Sequence, residues 1–202
     1  MAIKYWSPKA NAVAQVATVQ VTAFDATTTY KLTVGGVDIV SELGTTDADT
    51  TAAAMSTAWN NSTHAYATGV TASVATDTVT LTADAAEVPF TVTSSVTGGA
   101  GTIGSVTTTT SATGPHTISE AINWSGEALP ANNDTIVFRD SDINAVWGIE
   151  DMSTTGHTVK IELSYIGKIG LDWAGVSTSA DGETTDTAAP EYRGTYWTID
   201  CD

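Results

Sequence analysis

Residues Ala121 to Asp142, AINWSGEALPANNDTIVFRDSD, decide how this chain folds. A Trp-Ser-Gly turn at 124–126 is followed by a Pro-Ala-Asn-Asn-Asp loop at 130–134, which delivers a short strand, Thr135-Ile136-Val137-Phe138. Outward from it, a second apolar stretch runs from Thr158 to Ile166 and ends in Ser-Tyr-Ile-Gly-Lys-Ile-Gly, and a third runs from Gly194 to Ile199. Short strands punctuated by Gly, Asn and Asp predict a β-solenoid or an elongated all-β module. No arrangement of residues around them has the look of a reaction centre.

Composition fits that picture. Of 202 residues, 42 % are apolar, enough for a core, although Ala and Val supply much of it and aromatics only 7 %. Charged residues are 15 %, below the usual quarter. Nearly one residue in five is Thr. Its β-branch suits a pleated strand and its hydroxyl suits the solvent face of one. Seven Lys and Arg against 23 Asp and Glu leave a net charge of −16. Such a surface is repelled by phosphate backbones and anionic headgroups, so neither nucleic acid nor membrane is an expected partner. The single cysteine, Cys201, cannot form an intramolecular disulfide. The N-terminus lacks the charged and apolar regions of a signal peptide, and no apolar run approaches the ~18 residues a membrane helix needs. The chain is therefore expected to be made in the cytosol and to be soluble.

Three segments follow from the pattern: an N-terminal arm at 1–17, an α+β module at 18–110 and a β-helix-like or irregular all-β module at 111–202. Tyr5, Trp6 and Pro8 stand in a polar context in the arm. Aromatics are costly to leave in water, so they plug the chain's own domain or dock on a neighbouring subunit. In the second segment, alternation predicts strands at Val19–Phe24, Tyr30–Val34 and Val37–Leu43, with Gly35-Gly36 as a two-residue hairpin turn. Ala48 to Asn60 is the one convincing helix. Thr46 or Asp47 would cap it, and Ala52, Met55, Ala58 and Trp59 would form its apolar face. Further strands are expected at 65–74, 78–83, 88–96 and 103–110, giving one small sheet with the helix across it. TTTTSATGP at 107–115 marks the boundary. Beyond it, Ile118 to Trp124 predicts a short helical turn, and Ser177 to Ala189 a long acidic loop.

The elements TTTYKLTVGGVDI (27–39), DTTAAAMSTAWN (49–60), TVTLTADAAEVPFTVTSS (78–95), NWSGEALPANNDTIVFRD (123–140) and SYIGKIGL (164–171) resemble virion structural proteins of tailed bacteriophages and their prophages. The resemblance implies a mainly β chain, with a one-helix α+β module followed by a short β-solenoid or β-sandwich-like module. It brings no catalytic residues with it. Larger members of this kind continue into further solenoid rungs. A short solenoid leaves an unpaired end, and a homotrimer would cover it. The expected role is that of a capsid decoration or cement protein, bridging capsomers on the major capsid protein. A tail fibre or glycan-binding adhesin is the alternative, and a fragment of a polysaccharide-cleaving tailspike the second alternative.

Each chemistry-bearing residue also has an ordinary structural role open to it. Asp140, Asp142 and Asn144, with Asp151 further on, approach the spacing of a calcium loop, but Ala145 stands where an EF-hand needs Gly and Asp151 where it needs Glu. A plain turn is the better account. Glu127, Asp134, Asp140, Asp142, Glu150 and Asp151 supply acids for glycosidic cleavage, with Trp124 and Trp147 as sugar platforms. Turns are where Asp belongs in any case. His64, His116 and His157 share no metal-ligand spacing, and Cys201 has no basic neighbour to activate it. No catalytic residue, cofactor or metal is expected. The candidate interface residues are Tyr5, Trp6, Pro8, Trp124, Trp147, Trp173 and Trp197, since Trp favours interfaces.

Overall fold

The computed structural model of the chain describes residues 2–148 and 157–170 and the backbone of two short strands at 177–178 and 184–185. Among the described residues the fold is mainly β, with one α-helix and several open sheets. The elements in order are β1 (Ile3–Tyr5), β2 (Val16–Ala23), β3 (Thr29–Val34), β4 (Val37–Leu43) and helix α1 (Ala48–Asn61). Then come β5 (Val70–Ala75), β6 (Thr78–Ala83), β7 (Thr93–Thr97), β8 (Thr102–Ile103) and β9 (Thr107–Thr110). A 3-10 turn at Ala121–Asn123 precedes β10 (Thr135–Phe138), β11 (Thr158–Ile161) and the antiparallel pair β12 (Ser177–Thr178) and β13 (Thr184–Thr185). Two compact units result: residues 14–112 form one, and residues 2–13 join 113–148 and 157–170 in the other.

In the 14–112 unit, one sheet runs β5-β6-β2-β8 with β9 also on β2, and a second runs β4-β3-β7. The single sheet expected from sequence is thus two. The Gly35-Gly36 turn is as predicted: φ is +57° and +83°, the pair of positive values that a tight hairpin demands, with Val34 opposite Val37. Helix α1 begins in a capping box. The Asp47 carboxylate accepts from Thr50 N at 2.8 Å, and Asp47 N donates to the Thr50 hydroxyl. Ala52, Met55 and Trp59 are buried and Ala58 half-buried, while Thr51 and Ser56 join the inward face. With Tyr30, Leu32, Val40, Val79 and Leu81 they make one core.

Side-chain amides and one indole then stand in for missing ladder partners. Trp59 Nε1 donates to Val70 O, and the Asn60 amide bonds both N and O of Ala72. Gln15 clasps Phe90 N and O in the same way. The strand expected at 88–96 begins only at Thr93, beyond Pro89, which cannot donate to a ladder. That expected at 65–74 begins only at Val70, because 64–68 is a turn closed on His64 O.

The other unit is built on a parallel sheet, β1-β10-β11. The first residues are not a free arm here: Ile3 to Tyr5 pair with Thr135 to Val137, and Trp6 N continues the ladder to Val137 O. Thr158 lies opposite Thr135 and Ile169 opposite Ala145, so the chain stacks on itself at a shift of 23 or 24 positions. Thr117 also pairs in parallel with Trp147, at a wider shift of 30 positions. Ile136 and Phe138 point into a core completed by Trp6, Ile118, Trp124, Ala145 and Tyr165. No helix among the described residues is long and apolar enough to cross a membrane.

Candidate functional site: an open groove over an aromatic core

Four rings pack together next to β10. Trp6 meets Trp124 edge to face at 5.2 Å and Phe138 at 5.9 Å, and Phe138 packs on Tyr165 at 5.3 Å. Trp124 Nε1 donates to Ile118 O at 2.7 Å, whereas the buried Trp6 Nε1 has no partner among the described residues. Asn123 stitches the layer together. Wholly buried, its Oδ1 accepts from Lys9 N and Ala10 N, and its Nδ2 donates to Gly114 O and Thr117 O. Such full use of an amide fixes the path of the N-terminal segment.

At Trp6 opens a groove of about 560 Å³, lined by residues 5–9, Ser125 and residues 139–143. Tyr5 is held in place: its N–H donates to Ser125 Oγ at 3.0 Å, and the Arg139 guanidinium lies 3.9 Å from its ring centroid. Arg139 also passes Asp140 at 3.7 Å, both side chains being well exposed, so that contact adds little. Asp140 sits at φ +48°, the left-handed region that Asp tolerates better than most residues, and this re-aims the chain after β10. Ser141 Oγ accepts from Ile143 N at 3.1 Å.

The sequence-predicted residues divide sharply. Tyr5, Trp6 and Pro8 come together on the groove. Trp6 and Trp124 are 3 % and 0 % exposed, so their rings pack in the chain's own core. Trp147 is half-buried in its bridge to Thr117. Trp173, Trp197, Cys201, Glu150 and Asp151 lie outside the described residues. Among the acids, Asp134 is buried, and its carboxylate accepts from Ala2 N at 2.6 Å and Ala131 N at 3.0 Å. Those donors, Ala2 first, hold its pKa below the usual carboxylate value. Glu127 is exposed in a turn at φ +50°. Asp140 and Asp142 both line the groove. Asn144 Oδ1 is taken by Lys168 N. Among the described residues no three His, Cys, Asp or Glu side chains gather as a metal would require.

Sequence reasoning passed over Arg139 and Asn123. A signal for Arg139 exists, since it is the one Lys or Arg between Lys31 and Lys160. None exists for Asn123, whose four partners are backbone atoms. A scan against protein-family models finds no match to this chain, and a search of curated proteins finds none either.

Proposed function

We propose that this chain is a non-enzymatic structural protein of a tailed-bacteriophage virion, in first place a capsid decoration protein acting as a homo-oligomer, a trimer, on the major capsid protein. The observation that carries the proposal is the parallel stacking at a shift of 23 or 24 positions. It supports a β-solenoid that takes in β10 and β11, with β1 laid on β10 as the capping strand. Among the described residues the 157–170 segment carries Ile161, Leu163 and Ile166, respectively 44 %, 103 % and 78 % exposed. Apolar side chains on the end of a stack are a contact surface for a neighbour. Asp134, the best-placed buried acid, is committed to two backbone N–H groups, which weighs against a reaction centre there.

The groove favours a second role, that of a tail fibre or host-adhesion component, because its exposed polar groups suit a small polar ligand better than a flat protein surface. Adding the purified chain to particles that lack it separates the two. A cementing role predicts bound chain and greater resistance of the particle to heat; an adhesin predicts that free chain blocks attachment to host cells. If neither effect is seen, both proposals fail.

A further inference from the structure

We infer that the groove between residues 5–9 and 139–143 binds a neutral saccharide through the vicinal hydroxyls of a pyranose ring. Its volume of about 560 Å³ falls in the range of small-ligand sites. The chemistry of the lining narrows the class. Lys9 and Arg139 line the groove together with Asp140 and Asp142. A phosphate or other polyanion would meet two carboxylates, and a cation would meet the guanidinium and the ammonium. An apolar ligand would strip water from all four without returning hydrogen bonds. A polyol meets every group on its own terms, because each hydroxyl both donates and accepts.

The hydroxyls of the lining are set for the same task. Ser125 Oγ already accepts from Tyr5 N, and Ser141 Oγ from Ile143 N, and neither bond uses the O–H proton of these two lining residues. Asp142 has no hydrogen-bond donor among the described residues, so its carboxylate is a ready acceptor for two adjacent sugar hydroxyls. Tyr5 supplies a fixed ring, pinned by Ser125 and Arg139. All of this stands on a rigid base, since Trp6 is anchored to Trp124 and Phe138.

The inference rests on the second role proposed above, and the two can fail separately. A chain that blocks attachment but binds no saccharide here sinks the inference alone. The test is an amide-correlation NMR titration of the full chain with cellobiose, maltose and N,N′-diacetylchitobiose in turn, with inorganic phosphate as the contrasting probe. The expected result is that at least one disaccharide shifts the resonances of Tyr5, Ser125, Ser141 and Asp142. Arg139→Gln and Asp142→Asn, both surface changes, should each weaken that binding about tenfold or more, as loss of a charge-assisted hydrogen bond does. Three results would overturn it: no disaccharide binds, only phosphate binds, or both variants bind as the unaltered chain does while keeping its spectrum.

Discussion

Two tryptophans in contact should respond in opposite ways to the same change. Trp6 and Trp124 are both buried, with ring centroids 5.2 Å apart, yet among the described residues only Trp124 has a partner for its indole N–H. Replacing a buried Trp by Ala costs about 3–5 kcal/mol, and Phe keeps roughly two thirds of that packing, so either Trp→Phe change forfeits about 1–2 kcal/mol of contact. At position 6 the change also removes an unsatisfied buried donor, relieving about 1–3 kcal/mol. Trp6→Phe should therefore fall between a gain of about 2 kcal/mol and a loss of about 1 kcal/mol. At position 124 the change instead strands Ile118 O, adding about 1–3 kcal/mol, for a total loss of about 2–5 kcal/mol. Urea unfolding followed by near-ultraviolet circular dichroism, to which the packed rings contribute, reads both variants. Equal losses at the two positions would refute the reasoning, and with it the claim that the Trp6 N–H is an unmet donor.

Asn123→Ala removes four hydrogen bonds at once and should cost about 3–5 kcal/mol, with hydrogen exchange at Lys9 and Ala10 rising first. Gly44→Ala should cost about 1–3 kcal/mol in the 14–112 unit, because its new Cβ would run into the Asp25 carbonyl, and thermal unfolding measures it. Acid should weaken both units. Asp25, Asp38, Asp47, Asp77 and Asp134 are held below their ordinary pKa chiefly by hydrogen bonds from Thr27, Lys31, Thr50, Gln20 and Ala2 respectively. A depressed native pKa gives stability that is whole above the unfolded value of about 3.9 and is lost as pH falls through the native one. Asp134→Asn should accordingly flatten the acid limb of the unit that holds β10 and leave the other unit's limb unchanged, as pH-dependent unfolding will show.

What the sequence disclosed was local. Gly35-Gly36 between alternating strands, a helix cap at Thr46 or Asp47, which proves to be Asp47, and the Thr135–Phe138 strand each carry their signal within a few residues, and each stands where it was expected. What it hid was pairing at a distance. Ile-Lys-Tyr is too short and too polar to announce a strand, and its partner lies more than a hundred residues on. For that reason the first residues read as an arm although they belong to a parallel sheet. The split of one expected sheet into two is equally non-local, since it depends on which strand β2 and β3 each accept as a neighbour. The groove was half legible. Tyr5, Trp6 and Pro8 drew notice as misplaced aromatic and apolar groups, but nothing nearby in sequence could bring Arg139 onto the Tyr5 ring.

The most direct test of the proposed role is the number of copies per particle, measured by quantitative mass spectrometry of purified virions against the major capsid protein. A decoration protein requires a copy number that scales with the capsid lattice. A chain absent from the particle, or present in only the few copies of a tail component, would contradict the capsid assignment.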